Sequence, residues 1–203
     1  MDKLVRLPSQ KRGIDTKNKM IESAIRLFSE HGYHKTTTKM IARDSEVAIG
    51  SFYAYFKNKK SIFIAALTEH DRQVTEEIVS SLGKNQKLIE DKKKFIYKVI
   101  DILISAHEIC TGFHREIEFM QYSDPEIKEW IEKQQKESIK IAFDSINYHR
   151  DDLRIKDIET ASILVYSVME QIIHLILFTP DYQKDKDKLI DHLVDMVYRY
   201  LYP

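Results

Sequence analysis

Glu170 and His174 stand four residues apart inside the apolar run Ile163 to Phe178. On a helix that spacing puts both side chains on one face, within reach of each other. A carboxylate among apolar neighbours is costly unless it is partnered. The partner here is His174 itself, a residue across a dimer, or the polar end of a ligand. Further up the chain, His107, Cys110 and His114 follow one another at i, i+3 and i+7. They share a face only if a helix runs on through Gly112, and a histidine–cysteine–histidine metal site is then conceivable. Gly112 reads as a helix end that separates those donors, and no close pair of cysteines supports the site. On the plainer reading Cys110 is a small core residue and the histidines are half-exposed. No metal and no cofactor is assigned.

A different chemistry is suggested by "EVAIGSFYAYF", Glu46 to Phe56, which is followed at once by "KNKK". Two short helices joined by a tight turn, about Thr38 to Asp44 and Ala48 to Tyr55, form the helix-turn-helix pattern that sets a recognition helix in the major groove. Phe52 and Phe56 are four apart and belong to the core with Ile41, Ala42 and Val47. Tyr53 and Tyr55 then point away from it, where a hydroxyl can donate to phosphate. Ala48, Ile49, Gly50 and Ser51 open the second helix, the end presented to base edges. Lys57, Lys59 and Lys60 would clamp phosphate beside the positive terminus of the next helix. The plainer alternative leaves the two tyrosines as covers of the core and the lysines as solvated charge.

The elements that must position these residues are helices. The chain of 203 residues has only five glycines and four prolines, and its apolar residues recur at three- and four-residue spacing almost throughout. The fold class is all-α. "TKNKMIESAIRLFSEHGY" carries Met20, Ile21, Ala24, Ile25, Leu27 and Phe28 on one stripe, stopped by Gly32, and Thr37 is the expected N-cap of the first short helix. A long helix opens near Asn58 or Lys59 and runs to about Ser81. Amphipathic helices follow at about Leu88 to Cys110, Phe113 to Tyr122, Pro125 to Tyr148, Asp157 to Phe178 and Asp185 to Leu201.

Net charge is zero, but the charge is unevenly placed. Residues 1–60 hold 13 Lys and Arg against 6 Asp and Glu, and the rest of the chain holds 19 against 26. A basic head on an acidic body favours a polyanionic partner for the head. One cysteine fits a reducing compartment. The N-terminal stretch lacks an apolar run of signal-peptide length, and the longest apolar run is short for a span and carries Glu170 and His174, so a soluble, cytoplasmic protein with no membrane partner is expected. No Glu-x-x-His, H-E-x-x-H or phosphate-binding glycine loop occurs, which argues against an enzyme. A helical protein-interaction module is the stronger rival, since the acidic, tyrosine-rich body could bind a partner protein.

The stretch Thr36 to Phe63, "TTTKMIARDSEVAIGSFYAYFKNKKSIF", preceded by "IESAIRLFSEHGYHKTTT", resembles the DNA-binding head of the TetR family of transcriptional regulators. The resemblance covers about Lys17 to Leu67, and the body is similar in its layout of helices. It implies an N-terminal three-helix head with a helix-turn-helix, joined to a larger C-terminal helical bundle. The expected division is a basic arm over 1–14, a DNA-binding domain over 15–62, and a ligand-binding and dimerisation domain over 63–203. It further implies a repressor that binds a palindromic operator as a dimer through its last two helices and is released by a small, largely apolar effector, with a corepressor-dependent regulator, in which the ligand acts with the opposite sign, as the alternative. The residues expected at DNA are Thr37, Thr38, Lys39, Ala48, Ile49, Gly50 and Ser51, together with Tyr53, Tyr55, Lys57 and Lys59. The candidate effector residues are Phe95, His107, Cys110, Phe113, Met120 and Trp130 in the first part of the body, and Phe143, Tyr166, Met169, Glu170 and His174 in the second. Each apolar one has plain core packing as its alternative.

Three positions depart from the family's pattern. Glu46 stands in the turn where glycine is frequent, and is expected at positive φ with some strain. Ala48 replaces the frequent capping serine. Ile49 replaces a frequently polar or basic reading position, so base preference is expected to rest on apolar contact with thymine methyls and on Tyr53 and Ser51.

Overall fold

The computed structural model describes residues 11–85, 91–108 and 111–203. Among them are ten α-helices and no strand: α1 (Lys11–Lys35), α2 (Thr38–Asp44), α3 (Ile49–Tyr55), α4 (Lys59–Asn85), α5 (Lys92–Glu108), α6 (Thr111–Ser123), α7 (Pro125–Tyr148), α8 (Ile158–Phe178), α9 (Pro180–Gln183) and α10 (Lys186–Leu201). The all-α expectation is therefore met. A short 3₁₀ turn at Arg150–Asp152 and the single turn α9 are the elements that periodicity did not announce. Helix α1 begins at Lys11, so residues 11–14 of the expected arm are helical, while residues 1–10 lie outside the described residues.

The chain forms two compact units. The first lies within Met1–Arg72 and Cys110–Lys128, the second within Gln73–Ile109 and Glu129–Pro203. In the first, α1 buries Met20, Ile21, Ala24, Leu27 and Phe28, a 3.6-residue stripe, against α2 and α6. Ile41, Ala42, Phe52, Phe56, Ile62 and Phe63 complete this core from the other helices of the head. Phe113 from α6 is fully buried with them, its ring 5.5 Å from Phe63, 6.3 Å from Phe28 and 5.7 Å from His70.

Helix α1 is interrupted at Gly32, whose φ of 79° and ψ of 162° are open to glycine and strained for any other residue. This agrees with Gly32 as a stop signal. Past the break, the Tyr33 N–H donates to Glu116 Oε2 of α6 at 2.7 Å, and Lys59 Nζ donates to the Tyr33 and His34 carbonyls at 2.7 and 3.3 Å. Helix-end groups that would otherwise lack partners are thus satisfied by side chains from two other helices.

In the second unit α5, α8 and α10 pack around Ile96, Ile100, Ile104, Val165, Met169, Ile173, Leu193, Val194, Val197 and Leu201. Asp157 caps α8 by accepting from the Thr160 N–H at 3.0 Å. By length and composition, α8 alone among the described helices is apolar enough to cross a membrane. It is also a core helix, since Ala161, Val165, Met169, Ile173 and Ile176 are buried within the protein.

Candidate nucleic-acid interface and effector site

The turn between α2 and α3 is built by backbone hydrogen bonds. The Val47 N–H donates to the Ala42 carbonyl at 2.9 Å and the Glu46 N–H to the Arg43 carbonyl at 3.1 Å, the paired bonds of a Schellman motif with Ser45 as C-cap. That motif needs a left-handed residue after the cap, and Glu46 supplies it at φ 57°. The expected strain at Glu46 is therefore present. Glu46→Gly will raise stability by about 0.5–1 kcal/mol, because a left-handed residue with a Cβ is disfavoured by more than glycine's extra unfolded-state freedom. The checking measurement is a melting temperature higher by about 1–4 °C. A lower one would mean the glutamate side chain contributes more than its backbone costs.

Thr37 caps α2, accepting from the Met40 N–H at 3.2 Å, as expected. Ala48 occupies the N-cap of α3 in an extended conformation with no side-chain bond, so that helix begins without polar help. Phe52 and Phe56 are buried and hold α3 by its inner face. The outer face is then set by the period of the helix: Ile49, Gly50, Ser51, Tyr53 and Ala54 are exposed and Tyr55 is half-buried. A Cβ added at Gly50 would meet nothing within 4 Å, so the face is open there. Tyr53 is 50 % exposed, and its hydroxyl shares a 3.1 Å hydrogen bond with Thr38 Oγ1. That bond ties the two short helices together on their outer side. Lys39 and Lys57 are exposed beside it.

The lysine cluster is divided differently from the expected clamp. Lys59 bonds the end of α1 and lies over the Tyr33 ring, 4.3 Å from its centroid. Burial lowers its pKa below the usual lysine range. Lys60 pairs with Glu126 at 2.8 Å and Asp124 at 3.0 Å, and those hydrogen bonds hold its ammonium above the usual lysine range. Asp124 also accepts from the Glu126 N–H at 3.0 Å at the start of α7. Glu116, Asp124 and the Arg26–Asp44 pair carry no sequence signal that singles them out. Their partners are 83, 64 and 18 residues away, beyond any local pattern.

In the second unit the expected pair is formed: His174 Nε2 is 3.2 Å from Glu170 Oε1. His107 joins it from α5, with Nε2 3.3 Å from the same oxygen and Nδ1 2.7 Å from the Leu103 carbonyl. Burial alone would raise the Glu170 pKa, but hydrogen bonds from His107 and His174 outweigh it and hold the carboxylate below its usual range. Met169 is buried in the same unit, as is Phe95, whose ring lies 5.4 Å from His149. Trp130, Phe143 and Tyr166 are half-buried. Phe113 and Met120 are buried in the first unit instead. Cys110 lies outside the described residues, and His107 and His114 fall in different units.

A family profile described as bacterial regulatory proteins, tetR family, matches residues 20–66, and one described as tetracyclin repressor-like, C-terminal domain, matches residues 93–201. The chain is 30% identical over 91 residues to the fatty acid metabolism regulator protein of Bacillus subtilis, covering 45% of this chain and 47% of that protein. It thus spans about half the length of the first curated relatives it matches. A TetR-family regulator from Mesorhizobium loti has the same fold with a TM-score of 0.78 at 18% identity, over 96% of this chain and 100% of that one. The triclosan complex of SmeT, the repressor of a Stenotrophomonas maltophilia multidrug efflux pump, superposes with a TM-score of 0.69 at 18% identity over 93% and 92%. Both matched profiles come from one group of regulators rather than enzymes, and the second alone covers more than half of the 203 residues, so the chain belongs to the TetR family of transcriptional regulators.

Proposed function

We propose that this chain is a ligand-responsive repressor that binds a palindromic operator as a homodimer and leaves it when a small, largely apolar effector binds the body. The observation that carries the reading is the outer face of α3, where Ile49, Gly50, Ser51 and Tyr53 are exposed while Phe52 and Phe56 fix the helix from inside. Residues 15–62 serve as the DNA-binding domain and 63–203 as the effector and dimer domain. Ile49 offers an apolar contact suited to a thymine methyl, with Ser51 and Tyr53 as polar readers. Thr37, Thr38, Lys39 and Lys57 face the backbone phosphates. Lys59 acts through the end of α1 that it bonds.

The dimer uses α8 and α10, where Ile163, Leu164 and Met196 are each 48% exposed. Apolar side chains grouped on two helices favour a second copy of the same surface. An apolar effector is supported by the names of two similar proteins, one a fatty acid metabolism regulator and one holding triclosan. Operator DNA, the second copy and the effector are then the partners, and the site of action is the cytoplasm. Heads on a two-fold axis meet half-sites about 34–36 Å apart. The effector shifts the population off DNA by no more than its differential affinity for the two states.

Selection of bound duplexes from a random library, followed by affinity measurements at two salt concentrations, tests the reading. A palindromic winner whose binding weakens by roughly one counterion unit per phosphate contact is expected. Tyr53→Ala will weaken that binding by about 1–3 kcal/mol and leave the fold intact, with Tyr53→Phe isolating the hydroxyl. A drop in melting temperature with unchanged DNA affinity would instead make Tyr53 a cover for the core.

A further inference from the structure

We propose that His107, Glu170 and His174 form a binding site for a divalent transition-metal ion, with Zn²⁺ the best fit, where α5 packs on α8. The inference rests on the second unit alone and holds whether or not the head binds an operator.

Two zinc bonds of about 2.0–2.1 Å at a tetrahedral angle place their donor atoms about 3.3–3.4 Å apart. The His107 and His174 Nε2 atoms lie 3.3 and 3.2 Å from Glu170 Oε1, so two edges of the donor triangle already have that length. One ring nitrogen of each histidine lies within 4.8 Å of the other's, with ring centroids 5.6 Å apart. A modest rotation of the rings closes the third edge.

The surroundings suit a metal as well as the distances do. His107 Nδ1 donates to the Leu103 carbonyl at 2.7 Å. An outer-shell bond of this kind fixes the tautomer and turns Nε2 toward the ion. The His107, His174 and Glu170 side chains are 8, 20 and 27% exposed, so the donors sit in a largely dry setting. Two imidazole nitrogens and one carboxylate oxygen select zinc and its transition-series neighbours over Mg²⁺ and Ca²⁺, which take oxygen donors. Three protein donors are enough to hold the ion, and a zinc site of that kind takes its fourth ligand from water or from another donor group. Without metal, hydrogen bonds from the imidazoles to Oε1 fill the same space, so the ion displaces protons and binds less well as pH falls.

The test uses untagged full-length protein stripped with EDTA and freed of it, titrated with Zn²⁺ against a chromophoric chelator and, separately, with Co²⁺ in the visible range. One Zn²⁺ per chain and ligand-field bands of low-coordinate Co²⁺ are expected. His174→Ala and Glu170→Gln will each weaken Zn²⁺ binding at least ~100-fold, while replacement of the exposed His192 leaves it unchanged. Circular dichroism reports whether each variant is folded. If one variant misfolds, the other decides the matter. Absence of Co²⁺ bands in the wild-type protein at stoichiometric metal overturns the proposal, as does Zn²⁺ affinity that is the same in folded His174→Ala or Glu170→Gln.

Discussion

Phe113→Ala will lower the unfolding free energy by about 3–5 kcal/mol, the usual loss for a fully buried aromatic ring. Phe113 is 0% exposed and contacts the rings of Phe28, Phe63 and His70 at once. Phe28 and Phe63 are themselves in edge contact at 5.1 Å, and Tyr33 adds its ring to Phe63 at 5.0 Å. Removing the central ring therefore forfeits apolar burial and several aromatic contacts together, and the helices around it cannot all collapse into one gap. At about 2–4 °C per kcal/mol for a chain of this size, the melting temperature of the transition should fall by roughly 6–20 °C. Phe113→Leu, which keeps most of the volume, should cost well under half as much. From sequence, Phe113 is a candidate effector contact. A lining residue would behave differently, changing effector affinity while costing less than about 1 kcal/mol of stability, and that outcome would remove it from the core.

What can be read from sequence is whatever a helix repeats locally. The boundaries of α2, α7 and α8 follow from Thr37, Pro125 and Asp157, each a start signal next to an apolar stripe. The division of α3 into a buried Phe52–Phe56 edge and an exposed Ile49–Tyr53 edge follows from the four-residue period, whereas Glu46 at positive φ follows from the resemblance, which puts it where the family often has glycine. The Glu170–His174 contact is likewise an i, i+4 pair. His107 cannot be added to that pair from sequence, because it arrives from 63 residues away on another helix. The same blindness to distance sends Lys59 and Lys60 to phosphate. Their nearest acceptors are the Tyr33 carbonyl and the Asp124 and Glu126 carboxylates, none of them close in the chain.

Gly112 reads from sequence as a helix end, yet in the structure it is the second residue of α6, placed where that helix crosses α1. A Cβ built there would lie 2.8 Å from the Ser29 carbonyl oxygen, 3.0 Å from Ser29 Cβ and 3.2 Å from Ser29 Cα. Two of those atoms are backbone, so no side-chain rotation relieves the contact. Gly112→Ala should gain up to about 1 kcal/mol of helix propensity, yet the overpacking penalty of about 1–3 kcal/mol should exceed it. Gly112→Val, whose extra methyls have even less room, should lose about 3 kcal/mol or more. The loss has a structural route that can be followed separately. Pushing α6 away from α1 lengthens the 2.7 Å bond from the Tyr33 N–H to Glu116 and withdraws Phe113 from Phe28. Gly112→Val combined with Phe113→Ala should therefore cost less than the two changes summed, because each already spoils the same helix contact. Urea unfolding of both single variants and the double variant measures that coupling. Full additivity, or a Gly112→Ala protein as stable as the parent, would mean that α6 crosses α1 without needing the missing side chain.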